Sequence, residues 1–185
     1  MGEIREFRPV LRVMAVSSRH DEAFDWTIEK AVQHWGPLEI ASPPFDFSET
    51  GYYQKTMGEG LKKQLLAFTD LIPQDEVVES KLDSNQWEEE FKSLRFWDEP
   101  RPINLDPGYI TEAKLVLATT KDRDHRIYLR KGIFAEVTLF YQDLRWQSSR
   151  WTYPDYERDD FHVFFDQCRD WLRDRYAEMA SEQDD

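Results

Sequence analysis

Apolar positions along this chain alternate between a spacing of two and a spacing of three to four, and that alternation predicts its elements. Residues 9–17, PVLRVMAVS, gather Val10, Leu11, Val13 and Val16 into an aliphatic, β-branched run and predict a first strand. In 22–35, Phe24, Ile28, Ala31, Val32 and Trp35 fall at i, i+4, i+7, i+8 and i+11, the face of a helix opened by Ser18 or Asp21 and stopped by Gly36-Pro37. A short strand over 38–42 follows. Residues 61–68, LKKQLLAF, suit helix or strand, and the preceding Gly60 with Pro73 close behind favours the strand. A second long helix is expected over 75–94, with Val77, Val78, Leu82, Trp87 and Phe91 turned inward. DEPRP at 98–102 breaks it, and INLDPGYI is a strand with Asp106-Pro107-Gly108-Tyr109 placed as a type II turn.

Beyond Thr111, a helix cap by its chemistry, TEAKLVLATT reads as a helix, although so short an apolar run also suits a strand. HRIYL and IFAEVTLFY then predict a hairpin closed by the three residues Arg130-Lys131-Gly132 with a bulge at the glycine. That register sets Leu129 opposite Ile133 and Ile127 opposite Ala135, with Tyr128 beside Phe134 and Arg126 beside Glu136 on one face. A final helix starts at Asp159 or Asp160 and buries Phe161, Phe164, Phe165, Cys168, Trp171, Leu172, Arg175 and Met179.

The order strand, helix, strand, strand, helix, strand over 8–110 is that of the ferredoxin-like split βαβ unit. The expected fold is α+β: a ferredoxin-like βαββαβ half whose largely antiparallel sheet is extended by a C-terminal β-hairpin and covered by a C-terminal helix. One domain over 1–185 is expected, divided into 8–110, the 111–156 helix, hairpin and aromatic loop, the 157–180 helix, and the acidic tail 181–185.

Composition narrows the partners. The 185 residues carry a net charge of −13, with 27 aromatics and a single cysteine. The one cysteine, Cys168, rules out an intrachain disulfide and reads as a small buried hydrophobe. No apolar run is long enough to span a membrane, and MGEIREFRP lacks the apolar core of a signal peptide, so a soluble cytoplasmic protein is expected. Extended nucleic acid is an unsuitable partner, because phosphate neutralisation demands a broad basic footprint.

One segment reverses the charge. Between Lys114 and Lys131 six basic residues face only Asp122 and Asp124, a net +4. This patch suits a small anionic ligand. The candidate binding residues are Lys114, Lys121, His125, Arg126, Tyr128, Glu136, Thr138 and Tyr153, with Glu136 fixing the Arg126 guanidinium towards an anion. A plain cross-strand ion pair on a half-covered sheet explains the Arg126–Glu136 pairing equally well. Trp151, Tyr153 and Tyr156 either cover the sheet or stack on a base or sugar. Phe45, Phe47, Tyr52 and Tyr53 likewise either pin the polar loop after Pro44 or form a lid bending at Gly58 and Gly60.

A catalytic version makes His125 a general acid or base, with Lys114, Lys121 and Arg126 stabilising charge on a nucleotide-like or phosphorylated substrate. No G-x-S-x-G elbow, phosphate-binding G-x-x-x-x-G-K-[ST] loop or G-x-G-x-x-G turn is present. Asp106, Asp122, Asp124, His125 and Glu136 lack a recognised metal spacing, so no metal site is assigned. A binding domain is therefore the favoured function and an enzyme the alternative.

The stretches FDFSETGYY, NLDPGYITEAKLVLATTKDRDHRIYLRKGIFAEVTLFY and WTYPDY resemble the uncharacterised bacterial family known as domain of unknown function 4416. The resemblance runs from Arg8 to about Tyr156. It implies no activity, cofactor or catalytic residue.

Overall fold

The computed structural model describes residues 7–46 and 51–183. At its centre lies β1 (Leu11–Ser18), every residue of which is buried. It is hydrogen-bonded on both sides by antiparallel partners, β4 (Lys62–Phe68) and β5 (Ile103–Ile110). A strand covered on both faces needs apolar residues at both parities, which is why 10–16 reads as nearly continuous hydrophobic sequence.

The sheet order is β2 (Leu38–Ala41), β4, β1, β5, β6 (Lys114–Thr119), β8 (Ile133–Gln142) and β7 (Ile127–Arg130). In addition β3 (Phe45–Asp46) pairs β4, and β9 (Arg145–Ser148) pairs β8. Neighbouring strands run antiparallel. With the helices on its faces the architecture is α+β.

Strand parity divides the core in two. Met14, Val16, Leu66, Phe68, Ile103 and Leu105 point to one face, where α1 (Asp21–Trp35) and α3 (Val77–Ser93) supply Phe24, Ala31, Trp35, Trp87 and Phe91. The Trp35 Nε1–H donates to Asp83 at 2.9 Å and ties these two helices together. Leu11, Val13, Ala15, Leu65 and Ala67 point to the other face, under Phe161, Phe164, Phe165, Cys168 and Leu172 of α4 (Asp159–Gln183). The buried stripe of α4 ends at Leu172: Arg175 and Met179, expected inside, are exposed, and Trp171 and Tyr176 are half-buried. Among the described residues no helix is long and apolar enough to cross a membrane.

Five local expectations are corrected. The helix expected after Thr111 is strand β6; Thr111 Oγ1 accepts the Ala113 and Lys114 N–H groups, as a cap would, but in a tight turn between β5 and β6. Asp106-Pro107-Gly108-Tyr109 makes no turn and lies inside β5. The hairpin tip is a two-residue turn, with Lys131 at φ 53° and Gly132 at φ 76°, the left-handed pair that such turns require. A bulge at Leu129 then places Arg130, not Leu129, opposite Ile133, and so preserves the expected pairs Ile127–Ala135 and Tyr128–Phe134. Where a polar loop was expected, α2 (Gly51–Met57) forms a short helix. Both readings of this segment, pinned loop or lid, rest largely on Phe47, Tyr52 and Tyr53, whose side chains lie outside the described residues. Neither Ser18 nor Asp21 caps α1; His20 occupies that position, and Ser18 Oγ accepts its N–H.

Gly108 is required by close approach, since a Cβ there would meet the Val116 carbonyl oxygen and the Leu117 side chain. Gly108→Ala is expected to destabilise the fold by about 1–3 kcal/mol, the range for overpacking, measured by urea denaturation.

Candidate functional site

The sheet splits between β5 and β6. These strands pair only where Gly108, Tyr109 and Ile110 face Leu117, Val116 and Leu115. Upstream, residues 103–107 stay with β1, while Ala118 and Thr119 stay with β8. The chemistry of Pro107 accounts for the parting. Leu105 turns its backbone into the opening, and by the two-residue strand period Pro107 faces the same way with no N–H to offer β6.

Helix α3 supplies the missing partners. Glu88 Oε1 accepts the Leu105 N–H at 2.7 Å, and Lys81 Nζ donates to the Leu105 carbonyl at 2.7 Å. Two turns apart on one helix face, these long side chains reach the gap together. Glu88 also holds Arg101, whose Nη2 donates to both of its oxygens at 2.9 and 3.2 Å.

The opening forms a cavity of about 90 Å³. Its cations are Lys63, Lys81, Arg101, Lys121 and Arg126, and its acids are Asp106, Glu136 and Asp155. Lys63 and Asp155 form a buried ion pair, 5% and 1% exposed. Arg126 is held on three sides: its Nε donates to Glu136 Oε2 at 2.6 Å, and Nη1 to the Lys121 carbonyl at 3.0 Å and Thr119 Oγ1 at 3.5 Å. Burial opposes its charge, but Glu136 and Tyr153 outweigh this and hold its pKa above the usual guanidinium value. For Asp106, burial is likewise overcome, by Lys81, Lys63, the Asn104 amide and Arg101, and its carboxyl lies below the usual range. Burial dominates at Glu88 and raises its carboxyl despite Arg101 and Lys81.

The structure gathers some of the expected residues and scatters others. Lys121, Arg126, Glu136 and Tyr153 line the cavity. His125 does not: it stands behind Glu136, its Nε2 2.9 Å from Oε2, its Nδ1 3.2 Å from Asp124, and its ring stacked on Trp151 at 5.1 Å. Thr138 is buried near Glu136 on β8, and its Oγ1 has no hydrogen-bond partner among the described residues. Tyr128 lies exposed on the edge strand against Phe134. Lys114 sits opposite Phe140 at the far end of β6, roughly 16 Å from Thr119 by the strand rise. It therefore does not converge with Lys121 and Arg126. Nor does the +4 segment act as one patch, because Arg130 and Lys131 pair with Glu79 on α3. Among the described residues no group of three or more His, Cys, Asp and Glu side chains could hold a metal.

Lys63, Lys81, Arg101, Asn104 and Asp155 were missed as site residues, and Asp106 was weighed only as a metal ligand. For two of them a signal existed. Lys63 shares strand parity with Leu65 and Ala67, and Lys81 falls on the buried side of α3 with Val77, Val78 and Ser84. A charge on a face that the apolar period assigns to the interior requires a partner, and a cluster of such charges marks a site.

A family model described as Domain of unknown function (DUF4416) matches residues 8–172. No curated protein and no solved structure matches the chain.

Proposed function

The chain belongs to the family described as Domain of unknown function (DUF4416), and we propose that it is a binding domain whose split-sheet cavity takes a small phosphate-bearing or otherwise anionic ligand. One observation carries this reading: five cationic side chains from β4, α3, the 101–103 approach and the β6–β7 connection meet at one cavity with three carboxylates, in a chain of net charge −13. Arg126, held by Glu136, keeps a charged guanidinium at the cavity wall for an anion.

The alternative, an enzyme with His125 as acid or base, has less support. Both His125 ring nitrogens face carboxylates, and the ring stands outside the cavity. We also assign residues 8–110 to the ferredoxin-like arrangement and the chain to one domain. The support is the order β2-β4-β1-β5, with α1 and α3 on one face, and a sheet continuous to β7.

Inorganic phosphate at about a hundredfold excess over its Kd is expected to stabilise the protein by about 2.7 kcal/mol, a rise in Tm of roughly 5–10 °C. Arg126→Ala should lower the unliganded Tm, because it breaks the buried Arg126–Glu136 pair, and should abolish the rise, and Arg126→Lys should recover part of the rise. Equal shifts in wild type and Arg126→Ala would place the anion elsewhere.

A further inference from the structure

The cavity holds a feature that a bare anion does not explain. Its carboxylates are not all spent on their neighbours. Glu136 already accepts from Arg126 and His125, and Asp155 is buried against Lys63. Asp106 is different. Its Oδ2 accepts from the Asn104 amide at 2.7 Å, but among the described residues Oδ1 has only a distant Lys81 Nζ at 3.5 Å, and the side chain is 29% exposed.

An ionised carboxylate facing the ligand repels a second anion, so a site for inorganic phosphate alone gains nothing from Asp106. A ligand carrying hydrogen-bond donors next to its anionic group satisfies both features. Lys81, Lys63 and Arg101 surround Asp106 and make the position hostile to an ammonium group. The donors should therefore be neutral hydroxyls.

A second observation comes from β1. Ser17 lies directly between Lys63 on β4 and Asn104 on β5, so the three side chains share one face of the sheet. Its Oγ is buried, the residue being 1% exposed, and has no hydrogen-bond partner among the described residues. Ser17 lies outside the cavity lining, so the neutral polar group beside the Asp106 carboxylate that faces the ligand is the Asn104 amide. At about 90 Å³, below the ~300–1,000 Å³ of pockets for drug-sized ligands, the cavity restricts the ligand to a small one.

Resting on the anion-binding reading above, we propose that the ligand is a small sugar phosphate, its phosphate met by Arg126 and Lys121 and its hydroxyls by Asp106 and Asn104. The probes are inorganic phosphate and D-ribose 5-phosphate, titrated separately against thermal stability. In wild type, ribose 5-phosphate is expected to act at a concentration at least about tenfold lower than inorganic phosphate. Asp106→Asn should weaken ribose 5-phosphate by about tenfold, while phosphate acts as well as before or better, a carboxylate charge having been removed. Equal midpoints for the two probes in wild type, or an equal loss of both in Asp106→Asn, would overturn the sugar assignment and leave the anion site standing. No shift with either probe would remove both readings. The wild-type ratio decides the matter by itself should Asp106→Asn fail to fold.

Discussion

Asp155→Ala is expected to cost about 3–5 kcal/mol, the range for breaking one half of a buried ion pair. Asp155 is 1% exposed and Lys63 5%, so neither charge can fall back on bulk water. The substitution leaves the Lys63 ammonium on the inner face of β4 without its carboxylate, with the Tyr156 ring 5.2 Å away as a weaker partner. Lys63→Met with Asp155→Leu should recover most of the loss, because two apolar side chains of similar volume need no mutual compensation. Urea denaturation of wild type, the single variant and the double variant checks this. A single variant within about 1 kcal/mol of wild type would mean that the pair is solvated and contributes as little as a surface bridge. The double variant removes one cation and one carboxylate from the cavity and so leaves its net charge unchanged.

How much of this was legible in the sequence depends on the range of the interactions involved. The long helices α1, α3 and α4 follow their apolar periods, because a 15- to 25-residue element averages over local exceptions. Short elements do not. Residues 114–119 read as a helix by pattern, with a strand as the alternative, and only pairing with Phe134–Phe140 across the sheet decides for the strand. Pro107-Gly108 carries a turn signature that tertiary context overrides: β1 holds the segment extended from one side, and the missing N–H falls at the split. At the hairpin, cross-strand chemistry fixed the pairs Tyr128–Phe134 and Ile127–Ala135. The bulge at Leu129 that reconciles them with a two-residue turn was not visible.

The site shows the same division. Arg126 and Glu136 were found because ten residues and one hairpin separate them. Lys81 and Asp106 lie 25 residues apart, and Lys63 and Asp155 are 92 residues apart, so only the folded sheet reveals them as partners. Clustering of charge along the chain was a poor guide, as the diversion of Arg130 and Lys131 to Glu79 demonstrates.

Phe165→Ala should be among the most damaging single changes, at about 3–5 kcal/mol for a buried phenyl group removed from a packed core. The residue is 1% exposed and joins three parts of the fold. Its ring centre lies 5.5 Å from Phe164, 6.0 Å from Trp146 of β9 and 6.1 Å from Tyr156, on which it stacks. Tyr156 in turn lines the cavity and lies over Lys63. Loss of Phe165 therefore frees a cavity wall as well as weakening the core. Phe68→Ala provides the comparison. Phe68 is fully buried on the opposite face of the sheet, against Trp35, and should cost a similar amount without touching the cavity. Denaturation should thus report comparable losses for the two variants. Phosphate should still raise the Tm of Phe68→Ala by the wild-type amount and raise that of Phe165→Ala much less. An equal phosphate response in both variants would show that Tyr156 keeps its place without Phe165, and that α4 does not support the site.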